Sequence, residues 1–216
     1  MALDRRAVAS STTRRAGGTG TAGPYRPFLL RARAFTPAQC RRIVELGRSH
    51  PEDRGALHEQ EGPAAESWIR DSDTAWIPRD PATEWVHERL AAVADRANRT
   101  YGFDLDGFHE DLQFTTYDRR GAHYTWHQDG LDGAVGHRKL SIVVQLSEPD
   151  GYRGGELEFL EVAEDYDRAE REAYHAAVRR QGTAIVFPAF EFHRVLPLRS
   201  GVRHSLVAWM GGPPFR

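Results

Sequence analysis

GTAIVFPAFEFHRVLPLRSGVRHSLVAWM, residues 182–210, contains two short segments, GTAIVFP and HSLVAWM, rich in β-branched and aromatic residues and punctuated by Gly and Pro. Segments of this kind read as strands. Side chains alternate along a strand, so Arg203, Ser205, Val207 and Trp209 share one face of the second. An arginine directed into a barrel or sandwich is costly unless it meets an anion. Its planar fork suits a carboxylate held through two hydrogen bonds.

The same pattern recurs upstream in EDLQFTTY (110–117), YTWHQD (124–129), RKLSIVVQLS (138–147) and GELEFL (155–160). Before residue 108 the period is helical. FTPAQCRRIVELGRS (35–49) offers Thr36 as a cap, Pro37 in the first turn, a stripe of Cys40, Ile43, Val44 and Leu46, and Gly47 near the stop. PATEWVHERLAAVADRANRTYGF (81–103) places Trp85, Leu90, Val93 and Ala97 at helical spacing. SWIRDSDTAWI (67–77) reads as a strand or hairpin arm, and residues 51–66 as loop. Helices followed by a run of strands predict an α+β fold in which a sandwich or barrel carries the site. VAEDYDRAEREAYHAAVRR (162–180) interrupts the strands as a helical insertion over the surface, with Val162, Tyr166, Ala169, Ala173 and Ala177 as its stripe. The organisation expected is a disordered tail over 1–24 and a single domain over 25–216. That domain comprises a helical flank over about 35–100 and a β core over about 108–212.

With 216 residues and 40% hydrophobic content, one domain can bury a substantial core. A net charge of -2 gives no reason to expect nucleic acid or a membrane surface as partner. No apolar run reaches the ~20 residues of a membrane helix. Cys40 is the only cysteine, which excludes an intrachain disulfide and a Cys-rich zinc site. A cytoplasmic location is expected.

In strand register His127 and Asp129 point the same way. They could form a surface ion pair, or supply two ligands of a metal. Of the other histidines, His50, His58, His87 and His175 lie in the early loop or on helices and are expected to be solvated. His193 instead follows the strand GTAIVFP and can return beside the first pair. Two imidazoles and one carboxylate on one side of a metal leave three positions open, the arrangement of non-haem Fe(II) oxygen-activating sites.

The stretch from Phe28 to Trp209 resembles the prolyl-4-hydroxylase-like family of Fe(II)/2-oxoglutarate-dependent dioxygenases. The resemblance is carried by YTWHQD, GYRGGELEFL (151–160) and FPAFEFHRVLPLRSGVRHSLVAWM (187–210), which supply HxD, GGxL, a distal His and a basic residue ten positions later. It implies a double-stranded β-helix (jelly-roll) core with helices on one side. It implies Fe(II), 2-oxoglutarate and O2 as cofactor and cosubstrates, with His127, Asp129 and His193 as iron ligands and Arg203 holding the distal carboxylate of 2-oxoglutarate. Tyr117 matches a tyrosine lining the cosubstrate pocket. Gln145 stands where hypoxia-sensing prolyl hydroxylases carry a tyrosine that reaches the same carboxylate, a departure for which Ser205 could substitute. Asp129 is retained where halogenating relatives carry a small residue, which argues against halogenation.

The implied reaction hydroxylates an unactivated C–H of an amino acid, a peptide or protein side chain, or a small natural-product intermediate, with release of succinate and CO2. Arg70, Asp73, Trp76, His123 and Arg138 are candidate substrate contacts, with Arg70 and Arg138 also readable as solvated charges. His123 shares the His127 face, whereas Tyr124 and Trp126 fall on the opposite one and read as packing. A non-catalytic jelly roll sensing iron or 2-oxoglutarate, and a metal hydrolase, are the rival readings. Neither calls for the complete triad together with Arg203.

Overall fold

The structure is a computed structural model describing residues 25–54, 68–131 and 133–215. The expected tail and most of the 51–66 loop lie outside the described residues. In chain order the elements are β1 (Leu29–Arg31), α1 (Pro37–Arg48), β2 (Glu52–Arg54), β3 (Arg70–Asp71), β4 (Asp73–Ile77) and α2 (Glu84–Tyr101). There follow β5 (Gly107–Phe108), β6 (Leu112–Tyr117), β7 (His123–His127), β8 (Arg138–Gln145), β9 (Tyr152–Gly154) and β10 (Leu157–Phe159). The last are α3 (Leu160–Glu164), α4 (Arg168–Val178), β11 (Ala184–Pro188), β12 (His193–Val195), β13 (Leu198–Gly201) and β14 (Arg203–Gly211). The α+β class follows the expectation, and the strand pairs are antiparallel.

One large sheet runs β1-β11-β8-β14-β6-β4-β2, with β5 paired to β14; a smaller one runs β10-β12-β7-β3, and β13 pairs with β9. Strands from before residue 108 therefore enter both main sheets. β2 falls in the segment expected to be loop, where it edges β4. Its residues, Glu52, Asp53 and Arg54, carry no apolar alternation by which a strand could be recognised.

Alternation divides the large sheet into two faces. Leu140, Ile142, Val144, Leu206, Ala208 and Met210 point to one side, where they pack with Cys40 and Ile43 of α1 and with Val86, Leu90 and Ala94 of α2. Each fully buried aliphatic or aromatic side chain there contributes about 1.5–3 kcal/mol. The opposite side turns Val143, Ile185 and Phe187 toward Leu157, Phe159 and Val195 of the smaller sheet. The site lies between the sheets on that side.

α1 starts with a capping box between Thr36 and Gln39, with Pro37 in its first turn. Gly47 is the penultimate residue of α1, near its stop as expected, and a Cβ there would lie 2.2 Å from the Phe114 ring. His87, expected to be solvated, is 1% exposed and its Nδ1 bonds the Thr83 carbonyl. The 162–180 insertion is two helices, largely exposed but packed by one face onto the smaller core cluster. Val162, Tyr174 and Val178 are buried against Phe159 and its neighbours, while Ala169 and Ala173 are exposed. The capping box of Asp167 and Glu170 restarts the helix after α3 and resets its inward face.

Gly154 occupies φ +75, and a Cβ on it would lie 2.3 Å from the Pro197 carbonyl oxygen. Gly154→Ala should therefore cost about 2 kcal/mol or more, read as a lowered urea midpoint. His204, stacked on Phe114 between Arg48 and Thr116, is pushed down to about 4 by burial and by the nearby Arg48 and Arg203. Below about pH 6.5 the unfolded chain binds a proton that the native imidazole refuses. Stability should thus fall from about pH 6.5 to 4, with a shallower slope in His204→Gln; equal slopes would contradict this.

Candidate metal and anion site

His193 on β12 stands opposite His127 on β7 in the ladder, and their rings are 4.1 Å apart. Asp129 lies just beyond the end of β7, where its backbone N–H and that of Gly130 both donate to the Ala189 carbonyl. Its Oδ1 is 3.6 Å from Nε2 of each histidine. The ligand atoms of all three residues fall within 4.8 Å of one another. Each histidine bonds a backbone carbonyl through Nδ1, His127 to Thr125 and His193 to Glu191. The ring proton is thereby placed on Nδ1 and the Nε2 lone pairs converge. Two imidazole nitrogens and one carboxylate oxygen form a donor set that fits a divalent iron.

Burial and the neighbouring His127 push His193 down to about 4, so its imidazole is neutral and able to ligate at pH 7. Burial alone would raise the Asp129 carboxyl. His193, His127 and the Ser141 hydroxyl, which donates to Oδ2 at 2.6 Å, together hold it below the usual carboxylate range. The His193 charge is present only in acid; the Ser141 bond persists at neutral pH. Arg138 donates to the Asp129 carbonyl at 2.9 Å, is paired with Glu110, and lies 3.8 Å over the Trp209 ring. It is a buried support for the Asp129 turn, and the solvated reading is set aside.

At the other end of the cavity Arg203 is 2% exposed. Its Nε donates to Gln145 Oε1 at 3.1 Å, and its guanidinium lies 5.2 Å over the Tyr117 ring. Nη1 is buried without a partner, and among the described residues no carboxylate pairs with this cation. A buried guanidinium nitrogen without an acceptor is the fit expected for an absent anion. Tyr117, Ser205, Val207 and Trp209 line the same cavity, as strand alternation predicts. Gln145 is not among the residues lining the cavity; its Oε1 accepts the bond from Arg203.

Of the candidate substrate contacts, Arg70, Trp76 and Arg138 line the cavity. Asp73 does not; it binds Arg119 at 2.6 Å. His123 does not either, since its nitrogens bond the Gly121 and Trp68 carbonyls. Tyr124, expected on the far face, lines the cavity and stacks on His127 at 3.5 Å. The cause is a bulge. Val195 pairs with Tyr124 while His193 pairs with His127, so β7 spends one more residue than β12 between the two pairs. The extra residue inverts the parity on which the alternation argument rested. Trp126 stays outside, under Arg194. Sequence reasoning missed Ser141 and Glu110. A serine amid the apolar residues of KLSIVV was the available signal for the first; Glu110 had none.

Residues 112–211 match the family described as the 2OG-Fe(II) oxygenase superfamily. A PKHD-type hydroxylase of Janthinobacterium sp. (strain Marseille) is 34% identical over 96 residues, covering 42% of this chain and 38% of that relative. A PKHD-type hydroxylase of Caulobacter sp. (strain K31) is 38% identical over 85 residues, covering 38% of this chain and 33% of that relative. The chain thus matches well under half the length of these curated relatives. The solved Pseudomonas putida prolyl-4-hydroxylase superposes with a TM-score of 0.58 at 23% identity, covering 87% of this chain and 93% of that one. A Trichoplax adhaerens prolyl hydroxylase, solved with a hypoxia inducible factor peptide fragment, gives 0.65 at 17% identity, covering 86% and 83%. At these identities the two structures establish a shared fold. Residues 112–211, a little under half of the chain, are thus similar to the 2OG-Fe(II) oxygenase superfamily, and the fold is shared with solved prolyl hydroxylases. That superfamily uses Fe(II), 2-oxoglutarate and O2.

Removing one of the three donors should weaken metal binding while leaving the fold. Asp129→Ala should weaken Co(II) affinity by about a hundredfold or more in a calorimetric titration, and Ser141→Ala by about tenfold. Unchanged affinity in Asp129→Ala would remove this residue from the ligand set.

Proposed function

We propose that this chain is a 2-oxoglutarate-dependent hydroxylase. It converts 2-oxoglutarate to succinate and CO2 while hydroxylating an unactivated C–H of an amino acid, a peptide or protein side chain, or a small molecule. The carrying observation is one cavity that holds a convergent His-Asp-His donor set at one end and a buried, carboxylate-free arginine at the other. In this reading the two main sheets form a double-stranded β-helix, and residues 25–216 act as one domain. The peptide bound to the Trichoplax neighbour supports a peptide or amino-acid side chain among the substrates. Among the described residues no helix is long and apolar enough to cross a membrane, and a cytoplasmic site of action is compatible with the single buried Cys40.

His127, Asp129 and His193 would hold the iron, which when bound supplies oxygen activation and the oxidising power for C–H cleavage. The protein's own part is geometric and electrostatic. The Thr125 and Glu191 carbonyls keep both imidazoles aimed. Ser141 and Arg138 fix the Asp129 carboxylate and its turn. Arg203 takes the distal carboxylate of 2-oxoglutarate, with Gln145 orienting its Nε edge, the Tyr117 ring covering it and Ser205 beside it on the wall. Apolar walls from Val143, Leu157, Val195 and Val207 limit water between the two ends. No protein base is required.

The test is anaerobic addition of Fe(II) and 2-oxoglutarate. The wild type should develop a weak visible charge-transfer band that His193→Ala lacks. Arg203→Ala should weaken 2-oxoglutarate binding about a hundredfold with little change in metal affinity. Absence of the band in wild type, or equal 2-oxoglutarate affinity in Arg203→Ala, would contradict the assignment.

A further inference from the structure

The cavity holds a second cation that the reading above does not use. Arg70 lies on β3, paired with Tyr124 of β7, and is 7% exposed. Its Nε donates to the Ser72 hydroxyl at 2.8 Å, and its guanidinium lies 4.8 Å over the Tyr124 ring. Tyr124 in turn stacks on His127. The three groups form a column ending at a metal-ligating imidazole. Ser72 and Tyr124 fix the guanidinium without neutralising it.

The acids beside Arg70 in sequence are committed elsewhere. Arg119 bonds Asp71 at 3.0 Å and Asp73 at 2.6 Å. Alternation sends the Asp71 side chain away from the Arg70 face. No described carboxylate pairs with Arg70. Of the cavity-lining charges, Arg138 is cancelled by Glu110. That leaves Arg70, Arg203 and Asp129.

The charges then sum simply under the proposed function, on which this inference rests. A divalent iron with Asp129 carries one net positive charge. The dianion of 2-oxoglutarate and the Arg203 cation bring the loaded site to neutrality. Arg70 is left over, a largely buried cation with donors free. A largely buried charge without a partner is costly, and it is compensated when a counter-ion arrives. A guanidinium held edge-on by Ser72 and face-on by Tyr124 is pre-organised for a planar bidentate acceptor.

We propose that Arg70 binds a carboxylate of the substrate, so that the molecule oxidised here is a carboxylic acid whose reactive C–H is positioned by this ion pair next to the metal. Arg70 is thus a specificity-determining residue. It selects acids over their neutral amides or esters, and it does so from the wall opposite the 2-oxoglutarate anchor.

The experiment uses the full chain loaded with Zn(II) and saturating 2-oxoglutarate, which allows binding without turnover. Two matched pairs of probes, propionate with propionamide and N-acetylglycine with N-acetylglycinamide, are titrated and followed by ligand-observed NMR. The wild type should bind each carboxylate at least about tenfold more tightly than its amide. Arg70→Gln should lose that preference, and Arg70→Lys should keep part of it. Equal binding of acid and amide by wild type, no saturable binding of either acid, or full selectivity in Arg70→Gln would each overturn the proposal. The acid-against-amide comparison needs no variant, so it stands even if Arg70→Gln does not fold. Zn(II)-dependent 2-oxoglutarate binding, measured first, separates the two levels. Its failure defeats the hydroxylase reading, whereas its success without carboxylate selectivity defeats only the role of Arg70.

Discussion

The pairing of His193 with His127 across the β12–β7 ladder is the constraint on which the rest of the site depends. Two residues 66 positions apart are brought face to face by backbone hydrogen bonding. Their rings can converge only in this register, because a one-residue slip would send one of them to the other face. The register is pinned at both ends. Asp129 and Gly130 donate to Ala189 just beyond β7, and the bulge between the His193–His127 and Val195–Tyr124 pairs absorbs the mismatch further along. That bulge also turns Tyr124 inward, onto the His127 ring and beneath Arg70. A local irregularity of pairing therefore links His127 to the cavity wall that carries Tyr124 and Arg70.

Charge imposes the second constraint. Leaving cations uncompensated in a largely buried cavity opposes folding, and the helical side of the large sheet offsets that cost. Leu140, Ile142, Val144 and Leu206 are fully or almost fully buried there, packed against α1 and α2. The same strands alternate to supply Ser141, Val143, Arg203 and Ser205 on the site face. Stability and chemistry are thus carried by opposite faces of the same two strands, β8 and β14. The arrangement departs from full polar satisfaction where function requires it, as a binding site does.

Much of this was legible in the sequence, for reasons the structure makes clear. His127, Asp129, His193 and Arg203 stand out through their order and spacing, HxD, then a distal His, then a basic residue ten positions on, and not through their immediate neighbours. The Arg203 face follows from alternation along β14, a long uninterrupted strand. Parity failed at Tyr124 and His123, since a bulge leaves no trace in residue type. In the 162–180 helices the expected stripe holds at Val162 but not at Ala169 and Ala173, which are exposed; Tyr174 and Val178 carry the burial instead. Glu110, which neutralises Arg138, is one of many acidic residues and acquires meaning only from its partner. Arg70 could be named but not interpreted from sequence. Its significance lies in the diversion of Asp71 and Asp73 to Arg119, a three-dimensional fact.

The most direct test of the central claim, that one cavity binds a metal and a 2-oxo acid together, is calorimetric titration of 2-oxoglutarate with and without Co(II). If His127, Asp129 and His193 hold the metal while Arg203 holds the far carboxylate, the metal should strengthen 2-oxoglutarate binding by at least about tenfold, and 2-oxoglutarate should strengthen metal binding by the same factor. Identical 2-oxoglutarate affinity with and without the metal would show that the two ends of the cavity do not serve one ligand, and the account would fail.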